Sequence, residues 1–271
     1  MHKSPSTNTA VESDLPSPVD ASLPILWRDE HLVAIYKPAG WLVHRTGLDA
    51  GETRFIVQTL RDQLGQHVYP LHRLDKGTCG VLLLALHPEA ASKTRAVFES
   101  RCIHKRYLAL VRGWAPEHCD VDHALRPDDA PPDAPAQAAQ TAFERIATLE
   151  HPDAYDPHFV TTRLSLVQAT PHTGRRHQIR RHLKHIAHPI IGDATHGKGP
   201  LNRWWADRLG LQRLWLHAWE LGFTHPYTGQ ALQLHSGLQL PWVDDHAADQ
   251  AAHTSLANWQ ALLAHNGWQT R

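Results

Sequence analysis

Asp75 lies in the run His72-Arg73-Leu74-Asp75-Lys76-Gly77-Thr78-Cys79-Gly80, directly ahead of the apolar stretch Val81-Leu82-Leu83-Leu84-Ala85. A carboxylate in a turn that feeds a buried strand is held by a rigid scaffold yet open to a ligand, as a reactive group must be. Alone, such a loop acid is more often the ion-pair partner of a neighbour, here Arg73 or Lys76. Two other segments bear on that choice. From His172 to His188 the chain carries five Arg or Lys, five His and no acid, a stretch that includes Thr173-Gly174-Arg175-Arg176-His177-Gln178-Ile179-Arg180-Arg181-His182-Leu183-Lys184. Like charges at i,i+4 cost roughly a few tenths of a kcal/mol each, and a solvated helix normally intersperses acids. The run therefore points to a polyanionic partner. Tyr107, in Lys105-Arg106-Tyr107, offers a ring that can stack on a base while its hydroxyl stays hydrogen-bonded.

The elements that must position these residues follow from periodicity. Leu23 to Pro38 alternates around Asp29-Glu30 and predicts a strand pair with a polar turn. Thr53 to Leu64 sets Phe55-Ile56, Thr59-Leu60 and Leu64 on one helix face. Leu71 to Gly80 is a loop, and Val81 to Leu86 a buried strand. Pro88 opens a helix to about Arg101, and Lys105 to Val111 is a strand. Residues Asp128 to Ala139 are a Pro/Ala-rich linker or surface excursion. Strands follow at Thr141–Leu149, Val160–Ala169 and Leu214–Phe223. Thr173 is the expected N-cap of a basic helix from Gly174 to about Ala187, and Ser255 to Leu263 a last helix. Strands and helices mix without a strict βαβ repeat, so a mixed sheet with flanking helices is predicted rather than a Rossmann fold.

Composition sets outer bounds. The 271 residues are 42% hydrophobic and 20% charged, those of an ordinary globular protein. No apolar run reaches the roughly 18 residues of a membrane helix. Residues 1–22 are rich in Ser, Thr, Pro and Asp and lack a signal-peptide core, which predicts a disordered leader on a cytoplasmic protein. Residues 23–271 are expected to form one domain, with the Pro/Ala-rich insert at about 127–140. Cys79, Cys102 and Cys119 suggest neither disulfides nor a metal. Net charge is zero, with 27 basic and 27 acidic residues. A nucleic-acid partner would therefore need a local basic face, to which some of the 23 histidines could add charge.

The three segments together resemble the RluA family of pseudouridine synthases. The matching pattern is His72-Arg73-Leu74-Asp75-x-x-Thr78-x-Gly80, then Lys105-x-Tyr107, then Gly174-Arg175-x-His177-Gln178-Ile179-Arg180. The likeness extends from Ile25-Leu26 and Lys37-Pro38-x-Gly40 to His188-Pro189-Ile190-Ile191-Gly192-Asp193 and Leu216-His217-Ala218. Cys79 departs from the Ser usual in the family. Further stretches resemble the branch that modifies uridine 65 of certain transfer RNAs. They are Gly40 to Arg45, Val57 to Val68, Thr161-Thr162-Arg163 and Gly192-Asp193-Ala194-Thr195-His196-Gly197.

The resemblance implies an α/β fold of the α+β type, with a mixed, largely antiparallel central sheet. It also implies an isomerase that breaks the uracil N1–C1′ bond, turns the base and rejoins it through C5. All atoms of the substrate are kept, so no metal, nucleotide or other cofactor is expected. Asp75 would act on the ribose, either as nucleophile at C1′ or as base at C2′. Arg180 would be the guanidinium that offsets its desolvation, and Tyr107 would stack on the uracil. Reaching a paired uridine requires flipping it out. Planar Arg73 is the candidate to fill the vacated stack, with His72 a positioning residue. Arg175, Arg176, Arg181 and Lys184 would contact phosphates of a tRNA bound by a monomer.

Other signals are weaker. Gly192 to Gly199 nearly spells a phosphate-binding loop but has Gly199 where a magnesium-binding Ser or Thr belongs. His182, His185 and His188 drift around a helix and lack a carboxylate or thiol among them, which argues against a metal. The competing readings are the same chemistry on ribosomal RNA or another tRNA stem-loop, and a non-catalytic RNA-binding protein.

Overall fold

The computed structural model describes residues 22–44, 53–100, 102–128, 130–131, 133–241 and 254–270. Residues 1–21 of the expected leader lie outside the described residues, as do Arg45, Arg101, Asp129 and Pro132. The chain opens with β1 (Ile25–Arg28) and β2 (Leu32–Lys37), paired antiparallel as expected. Asp29 makes their turn, its carboxylate accepting the N–H groups of His31 and Leu32 at 2.8 and 2.7 Å. Then come α1 (Ile56–Leu64), β3 (Tyr69–Pro70), β4 (Cys79–Ala85), α2 (Pro88–Glu99) and β5 (His104–Arg112). They are followed by β6 (His118–Asp122), β7 (Gln140–His151), β8 (Thr162–Pro171), α3 (Gln178–His185) and α4 (Gly199–Leu209). The last elements are β9 (Leu216–Thr224), β10 (Ala231–His235), α5 (Thr254–Leu263) and β11 (Gln269–Thr270).

Among the described residues all strands join one sheet, ordered β1-β2-β4-β9-β5-β8-β7-β11. β3 also pairs with β4, β10 with β9 and β6 with β7. The β4–β9 pairing is parallel and the others are antiparallel, so the mixed, largely antiparallel sheet with flanking helices is observed.

Every residue of β2 and β4 is buried, which is why their sequences read as unbroken apolar runs. Val33, Ile35, Leu82 and Leu84 face Ile56 and Leu60 of α1. Their neighbours Leu32, Ala34, Val81, Leu83 and Ala85 face Ala90 and Ala91 of α2 on the opposite side. A larger core lies under β5, β7, β8 and β9 and takes in Leu183 of α3, Trp205 of α4 and Trp259 of α5. β4 and β9 meet where Gly80 stands at φ 114°, and a Cβ there would lie 2.1 Å from the Ala218 carbonyl oxygen. Only glycine permits that approach, which fixes the root of the Asp75 loop against β9.

The Pro/Ala stretch is not an open linker. Leu125 and Gln137 exchange backbone hydrogen bonds of 2.8 and 3.0 Å, and Arg126 Nε donates to the Ala134 carbonyl at 3.0 Å. β6 and β7 pair on either side of it, so both of its ends are held together and it forms the head of a hairpin.

Candidate active site

A pocket of about 380 Å³ opens between the Asp75 loop, the start of β5 and the turn before α3. Its lining includes His72, Arg73, Asp75, Tyr107, Arg175, Arg176 and Arg180, which are seven of the residues singled out from sequence. Arg180 Nη1 donates to Asp75 Oδ2 at 3.0 Å, joining groups 105 residues apart. The rest of the guanidinium clamps a second carboxylate: Nε and Nη2 donate to Asp193 Oδ2 and Oδ1 at 2.7 and 2.8 Å. Asp193 is fully buried, whereas the Asp75 side chain keeps 22% exposure toward the pocket. Asp193 Oδ1 also accepts the N–H groups of Thr195 and His196 at 3.0 and 2.8 Å. Burial raises the Asp193 carboxyl, but Arg180 and these amides outweigh it and hold the group below the usual range. Burial likewise works against the Arg180 charge, and Asp193 and Asp75 more than restore it.

This arrangement also explains the loop that nearly spells a phosphate site. Its N–H groups at Thr195 and His196 already face Asp193 rather than a ligand. Gly192, at φ 78°, passes so close to the Arg213 carbonyl that a Cβ would lie 1.6 Å from it.

Beneath the Asp75 loop lies Lys37, fully buried at the end of β2. Its ammonium donates to the carbonyls of Pro38, Lys76 and Thr78 at 3.0, 3.2 and 2.7 Å, and so ties the loop backbone to the sheet. Burial lowers Lys37 to about 7, while nearby Cys79 and Asp75 oppose that shift. Between about pH 7 and the ordinary lysine value of 10.5, the unfolded chain keeps a proton that folded Lys37 releases. Stability contributed by this residue therefore rises with pH across that window. Urea denaturation at pH 7 and pH 9 should give a smaller rise in Lys37→Met than in the parent, and equal rises would refute the assignment.

His72 is a structural member of the same loop. Its Nε2 accepts the Leu83 N–H at 3.0 Å and its ring stacks on Phe98 at 5.5 Å. Burial, aided by Lys105, lowers it to about 3, so the ring stays neutral through the physiological range. His72→Ala is expected to cost about 1–3 kcal/mol by orphaning the Leu83 amide. The shape of the activity profile between pH 5 and 8 should not change, and loss of one limb would instead make His72 a proton carrier.

The basic helix starts later than its sequence suggests. Thr173 is not its N-cap: α3 begins at Gln178, preceded by His177 at φ 54° in the left-handed region. Gln178 is the physical reason. Its buried side chain accepts from the Thr173 hydroxyl and the Arg175 N–H at 2.7 and 2.9 Å, and donates to Gln140 O and Thr141 Oγ1 at 2.9 Å each. These bonds pin residues 173–177 to β7 as an irregular turn. Arg175 and Arg176 therefore sit on the turn at the pocket mouth, exposed. Arg181 and Lys184 lie along α3 outside the pocket lining. Arg73 is exposed at the rim, with no hydrogen-bond or ion-pair partner among the described residues.

Tyr107 lies in β5 at a register shift between Arg106 and Tyr107 against β9, and its ring packs between two of the cores. Burial and then the Asp75 charge raise its phenol well above the ordinary value. Sequence reasoning did not single out His177, Asp193 or Lys37, although all three stand inside the quoted motifs. His177 Nε2 lies 3.8 Å from Asp75 Oδ2, while its Nδ1 lies 3.0 Å from Asp128 Oδ2.

The histidines considered as metal ligands go elsewhere. His182 bonds to Thr141 Oγ1 and the His123 carbonyl, His188 to the Arg112 carbonyl, and His185 stacks on His123. Among the described residues, Asp128, His177 and His196 do bring three potential ligand atoms within 4.8 Å of one another. Burial lowers both histidines, Asp128 together with Asp75 or Asp193 opposes that shift, and Arg180 adds to it, so a cation here would sit beside a guanidinium already held by two carboxylates.

A carboxylate clamped by a buried arginine, a tyrosine ring beside it and a basic turn at the rim make a site for acting on one nucleotide of an RNA. The sequence model of the RNA pseudouridylate synthases matches residues 31–185, and the chain belongs to that family of RNA-isomerising enzymes. It is 46% identical to tRNA pseudouridine synthase C of Vibrio cholerae, over 91% of this chain and 97% of that protein. The protein of the same name in Yersinia pestis is 48% identical over 81% of this chain and 88% of its own. In solved structures, human RNA pseudouridylate synthase domain containing 4 aligns with a TM-score of 0.59 at 26% identity, over 78% of this chain and 87% of that one. Human domain containing 1 shares the fold at a TM-score of 0.63 and 23% identity, over 94% of this chain and 99% of that one.

Proposed function

We propose that this enzyme isomerises a uridine of transfer RNA, uridine 65, to pseudouridine, with residues 23–271 acting as one catalytic domain in a cytoplasmic monomer that needs no nucleotide. The observation that carries the reading is the Asp75–Arg180 pair facing Tyr107 within one pocket. Similarity to proteins named tRNA pseudouridine synthase C supports the choice of transfer RNA.

Asp75 reacts at the ribosyl group, and Arg180 holds its carboxylate in place from the side facing the protein. The Tyr107 ring stacks on the detached uracil during its rotation, and the raised phenol keeps the hydroxyl protonated beside Asp75. Arg73, exposed at the rim, enters the gap left by the flipped base. Arg175 and Arg176 meet the phosphates of the target nucleotide, with Arg181 and Lys184 further along the backbone. Mapping pseudouridine in bulk tRNA and rRNA after incubation with the enzyme tests the substrate. Modification confined to one tRNA position is expected, and modification of rRNA alone would overturn the transfer-RNA assignment.

A further inference from the structure

The basic turn before α3 is occupied. Asp128, at the head of the β6–β7 hairpin, directs its carboxylate into it: Oδ2 lies 3.0 Å from His177 Nδ1 and 3.6 Å from Arg176 Nε, and Oδ1 lies 3.3 Å from Arg181 Nη1. Two backbone oxygens of the same excursion join it. Arg181 Nη1 donates to the Arg126 carbonyl at 2.6 Å and Arg175 Nε to the Ala138 carbonyl at 3.1 Å. Four basic groups, Arg175, Arg176, His177 and Arg181, are thus met by four oxygens from one short segment. The sequence of the turn contains no acid of its own, so its neutralising charge comes from 48 to 53 positions away.

We propose that Asp128, with the Arg126 and Ala138 carbonyls beside it, is an intramolecular mimic of an RNA backbone, the Asp128 carboxylate standing where a phosphodiester binds and leaving when RNA docks. This rests on the reading of the pocket as an RNA site and adds its regulation. Asp128 and Arg176 are both exposed, so the contact can open without unfolding the core. Exposed pairs of this kind contribute little to stability, whereas an RNA backbone offers many phosphates and releases counterions. A docked RNA therefore outcompetes the mimic, but a brief, poorly matched encounter must first displace it. His177 links the mimic to the chemistry, because its other ring nitrogen faces Asp75.

The test uses the full chain and two probes, a tRNA transcript and a uridine-free RNA hairpin, with affinity measured by fluorescence anisotropy across a KCl series. Asp128→Asn should bind both probes about three- to tenfold more tightly, with a salt dependence steeper by about one to two charges. Asp120→Asn, an exposed acid of β6 outside the contact, should leave both affinities unchanged. In an Arg176→Gln/Arg181→Gln background the gain from Asp128→Asn should vanish. Unchanged or weaker binding by Asp128→Asn, or a gain that survives the loss of both arginines, would overturn the proposal. Circular dichroism melting confirms that each variant is folded. The uridine-free hairpin cannot be modified, so its result stands whatever pseudouridine mapping shows for tRNA, and the two readings fail separately.

Discussion

Asp75→Asn should abolish pseudouridine formation, with a loss of about four orders of magnitude or more in single-turnover rate. Asparagine keeps the size of the side chain and can still accept from Arg180 Nη1, so the geometry of the pocket is retained. What is lost is the anion, and with it both candidate steps, attack at C1′ and proton removal at C2′. RNA affinity should hold or rise slightly, because a negative charge has been removed from a site that receives a polyanion. Gel-based detection of pseudouridine alongside anisotropy separates the two quantities. Retained turnover would sink the assignment of Asp75, and loss of binding without loss of chemistry would make it a structural acid.

Arg180→Met combines two effects of different origin. In the proposed mechanism the pair with Asp75 stabilises charge at the reacting centre, and removing such a preorganised donor should cost about 100- to 1,000-fold in rate. The same guanidinium is the bidentate partner of fully buried Asp193. Stranding that carboxylate should destabilise the protein by about 3–5 kcal/mol, read by urea denaturation. A second substitution separates the effects. Adding Asp193→Asn to Arg180→Met removes the stranded charge and should recover part of the stability while the rate stays low. Arg180→Lys should behave like the methionine variant for catalysis, since one ammonium cannot bridge two carboxylates as a planar fork does. Recovery of activity together with stability would make Arg180 a residue of the fold alone.

The contrast between Asp193 and Asp75 marks how far sequence reasoning reaches. The β2 and β4 runs were legible because burial on both faces writes itself as unbroken apolar sequence. The Asp75 loop, Tyr107 and Arg180 were legible because motif and spacing coincide. The start of α3 was not, because Gln178 folds its amide back onto residues 173–175 and competes with helix formation there. α4 was hidden by Lys198-Gly199-Pro200, which reads as a loop, although proline at the first turn suits a helix start. The short strands β6 and β10 do alternate, with Cys119 and Val121 or Leu232 and Leu234 turned inward, but two inward residues over five positions are too short a pattern to stand out from a loop. Asp128 could not be found at all from local pattern. Its partners lie far along the chain, and only the closed hairpin brings them together.

That hairpin head also divides the site. Asp75 and Tyr107 precede it in the chain, and Arg180 and Asp193 follow it. The two portions are sewn together by the β5–β8 and β5–β9 ladders. Neither portion contains an operative constellation, so activity appears only once strands from both have found their register. Pseudouridine formation is therefore an assay of global assembly as well as of chemistry. A protease cut at the hairpin head would give two inert pieces whose mixing, if it restored turnover, would time the closing of that seam.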